Sequence, residues 1–149
     1  MHFKLKIIPP TATAQQKGEC IRAGYIHHYK KKNVAKAEAI LRDALLPYVP
    51  AEQIEDKPIA LVVVWMFPYP KNAKKHKQGM SRRKITRPDT DNLNKMLKDV
   101  MTDMGFWKDD ALICEETIYK LYSDDPGILI EYFEPSMEIE TGWWRREED

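Results

Sequence analysis

The side chains best suited to chemistry lie in one stretch, Arg87 to Asp110, which reads RPDTDNLNKMLKDVMTDMGFWKDD. It opens on two aspartates one residue apart, Asp89 and Asp91, and closes on the adjacent pair Asp109 and Asp110. Two carboxylates about 4 Å apart repel by roughly 1 kcal/mol in water and roughly 4 kcal/mol at an effective dielectric of 20. A fold that gathers several of them is usually matching a hard divalent cation, and oxygen-only ligands suit Mg²⁺ or Mn²⁺. The set contains no thiolate and needs no imidazole, which disfavours zinc. Lys95, one helical turn beyond Asp91, sets one lysine beside the acids.

The element that must carry these groups is a helix. Leu93, Met96, Leu97, Val100, Met101 and Met104 recur at the spacing of one helical face. Pro88 is tolerated just before such a helix, Asp89 or Thr90 can cap it, and Gly105 suits the residue past its end. Asp91, Lys95 and Asp99 then line one polar edge, with Asp89 just before it. The turn Gly105-Phe106-Trp107 is expected to bring Asp109 and Asp110 back toward that edge, so that three or four carboxylates share one small volume beside Lys95.

Plainer readings compete. Asp89 and Thr90 could serve only as caps, and Asp91, Lys95 and Asp99 only as a surface ladder worth well under about 1 kcal/mol per pair. A calcium loop fails, because Asn94 and Val100 stand where it needs glycine and glutamate. The first two readings account for Asp89 to Asp99 but leave Asp109, Asp110 and the preceding basic stretch unconnected. Spacing alone leaves them open beside metal chemistry.

That basic stretch holds Lys71, Lys74, Lys75, Lys77, Arg82, Arg83, Lys84 and Arg87 with no acid among them. Alone it reads as a solvated loop. Feeding straight into the acidic stretch, it suits a phosphodiester, which needs cations nearby. Tyr69 and Trp65 could stack on bases, though both fit the core or its rim better. The formal net charge is only +1, so the asymmetry, not the total, points to a polyanion. The tail from Glu134 to Asp149 is acidic.

At 149 residues, 43% hydrophobic and 32% charged, the chain reads as one soluble domain over residues 1–135 with a tail, 136–149. Trp143 and Trp144 suggest that the tail docks somewhere. Cys20 and Cys114 lack metal-type spacing and read as reduced thiols of a cytoplasmic protein. No signal peptide or membrane span is expected, since the longest apolar run, Ile59 to Phe67, is half of what a span requires. There is no Walker-type loop, no CxxC and no G-x-S-x-G, so small-molecule cofactors and nucleophilic hydrolysis have little to work with.

The remaining elements follow from pattern. Phe3, Leu5 and Ile7 alternate as a strand ended by Pro9-Pro10. Residues 11–32 read as a long loop, in which His27 and His28 suit surface or phosphate contact better than a shared metal. Val34 to Leu45 is a packing helix stopped by Pro47. Ile59 to Phe67 reads as a central strand buried on both faces. Ile113 to Tyr122 and Ile128 to Phe133 read as an antiparallel hairpin around Ser123-Asp-Asp-Pro-Gly127, with Asp124 and Asp125 as turn residues.

The combination Arg-Pro-Asp89-Thr-Asp91-Asn92-Leu-Asn-Lys95 followed by Gly105-Phe106-Trp107-Lys108-Asp109-Asp110 resembles the signature of the RusA family of Holliday junction resolvases. The strong match covers about residues 87–113; the first strand, its proline-rich exit and the final strands match more weakly. The resemblance implies a small α+β fold, a mixed β-sheet packed by two main helices, working as a homodimer on branched DNA. It implies Mg²⁺ or Mn²⁺ as cofactor, Asp89, Asp91 and Asp110 as essential carboxylates, Asp109 as the neighbouring acid and Lys95 as the catalytic lysine. Metal-assisted in-line hydrolysis would nick two opposed strands of a four-way junction, leaving a 5′ phosphate and a 3′ hydroxyl. A two-fold dimer matches the symmetry of such a junction. Two alternatives stand beside this: a junction-binding accessory protein that does not cut, and a broader nuclease acting on flaps or forks.

Overall fold

The structure, a computed structural model, describes residues 1–13, 17–73, 79–140 and 142, with only the main chain at residues 17, 18 and 27–30. Its elements in chain order are β1 (His2–Leu5), β2 (Lys17–Arg22), β3 (Tyr25–Lys30), α1 (Lys32–Leu45), β4 (Ile59–Phe67), β5 (Arg82–Arg83), α2 (Thr90–Asp103), β6 (Ile113–Tyr122) and β7 (Gly127–Phe133). The fold is α+β, as expected: a mixed five-stranded sheet in the order β1-β7-β4-β6-β5, with β2 and β3 forming a separate two-stranded sheet.

β4 is the middle of the main sheet, as its continuous apolar run anticipates. It pairs parallel with β6 and antiparallel with β7. Ile59, Leu61, Val63, Trp65 and Phe67 are buried and join one apolar cluster with Val34, Ala37, Leu41 and Leu45 of α1 and Leu93, Met96, Leu97, Val100 and Met101 of α2. Val62, Val64 and Met66, on the opposite face, are only half-buried. The sheet is therefore covered by helices on one face, and the strand is not buried on both.

Two further expectations are corrected. β6 and β7 are not a hairpin, because β4 lies between them. The most apolar strand takes the centre, where both of its edges can pair, and the segment after β6 passes its end, with Ser123 N–H donating to Phe67 O at 2.8 Å. Asp125 does sit in that turn, where its carboxylate accepts from Lys4, a hydrogen bond and ion pair that lower its pKa from the ordinary value. The segment read as a loop over residues 11–32 contains β2 and β3, which meet at a turn with positive φ at Ala23 and Gly24.

Because β4 and β6 run parallel, the chain must cross over between them, and α2 makes that crossing. The crossover lays α2 over one face of the sheet and fixes where each of its ends lies. Among the described residues no helix is long and apolar enough to cross a membrane. Trp143, Trp144 and nearly all of the tail beyond Glu140 lie outside the described residues, as do the side chains of His27 and His28.

Candidate active site

α2 runs antiparallel to β6, and four hydrogen bonds set its direction. Lys120, near the end of β6, donates from Nζ to the carbonyl oxygens of Thr86 and Pro88, each at 2.7 Å. Asn94 Nδ2 donates to Glu116 Oε1 at 2.8 Å, and Lys98 Nζ to Glu116 Oε2 at 2.9 Å. The N-terminal end of α2 therefore lies where β4 and β6 end. Burial lowers the Lys120 ammonium from its ordinary value and nearby Lys84 adds to this, while the Asp89 carboxylate opposes it.

Asn94 is the polar pin of this arrangement. It is fully buried, and its Oδ1 accepts from Trp65 Nε1 at 2.6 Å. One amide thus ties α2 to both β4 and β6. A buried polar residue without partners would cost about 1–3 kcal/mol, and here both ends of the amide are satisfied. Sequence reasoning passed over Asn94 because it adjoins the apolar stripe. The available signal was a polar residue inside the buried arc of an amphipathic helix.

Asp89 occupies the N-cap position of α2 with extended backbone, yet its side chain makes no capping bond. Asp91 follows in the first turn, and both residues are exposed. Neither carboxylate takes a hydrogen bond or ion pair among the described residues. Both sit at the positive end of the helix dipole, which favours negative charge. Lys95 is exposed and pairs with Asp99 Oδ2 at 3.4 Å, half of the expected surface ladder.

Asp109 and Asp110 lie elsewhere. Asp109 caps a short 3-10 turn, Asp110–Leu112, through Ala111 N–H to its Oδ1 at 2.8 Å. β6 begins directly after it, with Ile113 paired to Ile59 at the start of β4. From Ile113 to Lys120 the strand covers about 23 Å at 3.3 Å per residue. Asp110 thus lies at the opposite end of β6 from Asp89 and Asp91. The turn after α2 does not fold the second acidic pair back onto the first. Among the described residues, no three His, Cys, Asp or Glu side chains come together in a group that could hold a metal ion.

The basic stretch is better placed. Arg82 and Arg83 form the edge strand β5, paired to Tyr122 and Leu121 at the end of β6. They are exposed, as are Lys71 and Arg87. Lys84 is half-buried: its ammonium lies 5.3 Å from the centre of the Phe67 ring and 5.2 Å from that of Tyr122, and it donates to Thr86 Oγ1. It holds the segment that leads to Asp89. The Tyr122 hydroxyl is pulled below its ordinary pKa by its hydrogen bond to Thr86, with Lys84 and Arg82 contributing. Lys74, Lys75 and Lys77 lie outside the described residues.

An acidic helix end set against a basic sheet edge is a surface for a polyanion whose charge is managed by cations. The sequence matches the family described as endodeoxyribonuclease RusA over residues 8–132, and the chain belongs to that family. It is 29% identical over 130 residues to the protein YqaN of Bacillus subtilis (strain 168), which carries no functional description, covering 81% of this chain and 87% of the relative. It is also 29% identical over 133 residues to the crossover junction endodeoxyribonuclease rusA of Lactococcus phage r1t, covering 89% of this chain and 96% of the phage protein.

Proposed function

We propose that this member of the family is a Mg²⁺-dependent endodeoxyribonuclease that resolves four-way DNA junctions by paired, opposed nicks. The observation that carries the reading is the pair of exposed carboxylates, Asp89 and Asp91, without a hydrogen bond or ion pair among the described residues, presented one residue apart at the start of α2 beside the basic edge strand. The name of the phage relative points the same way.

The donor set fits the ion. Mg²⁺ keeps several of its waters and is commonly held by one or two carboxylates together with substrate phosphates, so Asp89 and Asp91 suffice to begin a site. Mn²⁺ would serve in its place. When bound, the ion would supply a Lewis acid at phosphorus and an activated water, the products being a 5′ phosphate and a 3′ hydroxyl. Lys95 would offset charge on the phosphoryl oxygens, since its surface pair with Asp99 is weak enough to exchange for phosphate. Arg82, Arg83, Arg87 and Lys71, with Lys74, Lys75, Lys77 and Lys84, would grip the flanking backbone.

The place of Asp110 argues for a dimer. One chain holds it apart from Asp89 and Asp91, whereas a two-fold pairing could set Asp110 of the partner subunit, with its neighbour Asp109, beside them. Each dimer would then hold two shared sites, one for each opposed strand.

The test compares an end-labelled four-way junction, a flap and a linear duplex, each with Mg²⁺ and with EDTA. Symmetric nicks in the junction with Mg²⁺ alone are expected. Junction binding without any nick in either condition would select the accessory-protein reading. Equal cutting of the flap would select the broader nuclease.

A further inference from the structure

Beside the segment that delivers Asp89 lies a cavity of about 210 Å³ lined by Tyr69, Asn72, Arg82, Ile85, Thr86 and Tyr122, among others. Its aromatic wall is built. The Tyr69 and Tyr122 rings stack with centroids 5.5 Å apart and planes 28° from parallel. The Tyr69 hydroxyl accepts from Arg82 N–H at 3.2 Å, which ties the wall to β5, and the Tyr122 hydroxyl lies 3.3 Å from Thr86 Oγ1. Lys84 stands near the Tyr122 ring as well. Ile85, at the rim, is 92% exposed.

The geometry points to a slot for one unstacked nucleobase of the DNA substrate. Sites for whole small-molecule ligands run from about 300 Å³ upward, so this volume suits a single flat ring system. Unpaired bases are recognised by stacking on aromatic faces and by hydrogen bonds along their edges. Here the Tyr69–Tyr122 wall supplies the face, and Asn72 and Thr86 supply amide and hydroxyl groups for an edge. Arg82 offers cation–π support and phosphate contact. From Thr86 to Asp89 the chain spans at most about 11 Å, so the base taken belongs within a few nucleotides of the bond cut. Strands at a branch point part there, and a base can leave its stack at low cost.

This inference rests on the reading of the chain as a junction nuclease, and its test separates the two. A single abasic residue is moved through the positions flanking the mapped cut. Each junction is assayed for nicking with Mg²⁺ and, independently, for affinity in EDTA, using the wild-type chain and Tyr69→Leu. At one position the abasic residue should weaken the wild type about 5- to 150-fold, the range carried by base–aromatic stacking. Tyr69→Leu should lose a similar factor on the intact junction and nothing more on that abasic one. A flat scan, or losses that multiply, would overturn the slot even where nicking is normal. Wild-type affinity that dips at one position without any nicking would keep the slot and sink the nuclease. Should Tyr69→Leu fail to fold, Asn72→Ala at an exposed position supplies the same cycle: losses that do not multiply support the slot, and losses that do overturn it.

Discussion

At the scale of the residue, a few side chains decide whether the acids can work. The spacing of Asp89 and Asp91 singles them out but does not separate metal ligands from helix caps or a surface ladder; the structure adds that both are exposed at the start of α2 and that Asp89 makes no capping bond. Asn94 was not singled out, since burial is a property of the assembled layers, and a polar residue beside the stripe gives no sign of which way its partners lie. Its amide bridges Trp65 Nε1 and Glu116 Oε1. Asn94→Ala would leave the Trp65 N–H without its acceptor and Glu116 without one donor. We expect it to lower unfolding free energy by about 2–4 kcal/mol, measured by denaturant titration. Unchanged stability would mean that α2 is pinned by apolar contacts alone.

At the scale of the element, α2 and its exit were the clearest part of the sequence. The periodic stripe gave the helix, and Gly105 its end. Gly105 has φ +87°, its N–H donates to Thr102 O at 3.1 Å, and the Phe106 N–H donates to Met101 O at 3.1 Å. This is the Schellman pattern that closes a helix, with the apolar Phe106 and Met101 both buried. A methyl group there would meet only Gln53 Oε1 at 3.7 Å, so the penalty is backbone strain and not crowding. Gly105→Ala should cost about 1–2 kcal/mol and lower the melting midpoint by about 2–8 °C in a thermal scan.

Other elements were hidden for stated physical reasons. β2 and β3 pair only with each other, and Ile21, Tyr25 and Ile26 are exposed. With these apolar side chains exposed, the pattern gives no core face to read, and the turn at Ala23-Gly24 lacks the asparagine or aspartate that usually announces it. The pairing of β6 with β4 depends on a competition for the sheet centre. Ser123 to Gly127 reads as a hairpin loop because no local signal reports a third strand lying between.

At the scale of the whole molecule, the sheet order sets the chemistry. It puts the basic edge strand and the start of α2 together where β4 and β6 end, and it puts Asp110 where they begin. Sequence proximity suggested that one short turn would close an acidic cluster. Topology places the two acidic pairs toward opposite ends of β6 within one chain, and the shared site proposed above would bring them together between two chains.

The most direct measurement mixes two inactive variants. Asp91→Asn retains Asp110, and Asp110→Asn retains Asp89 and Asp91. Each alone should bind a labelled four-way junction and leave it uncut in Mg²⁺. After subunit exchange, the mixed dimer should hold one complete site and nick one strand. A mixture as inert as either variant alone, or either variant cutting as well as the wild type, would contradict a shared site built from these carboxylates.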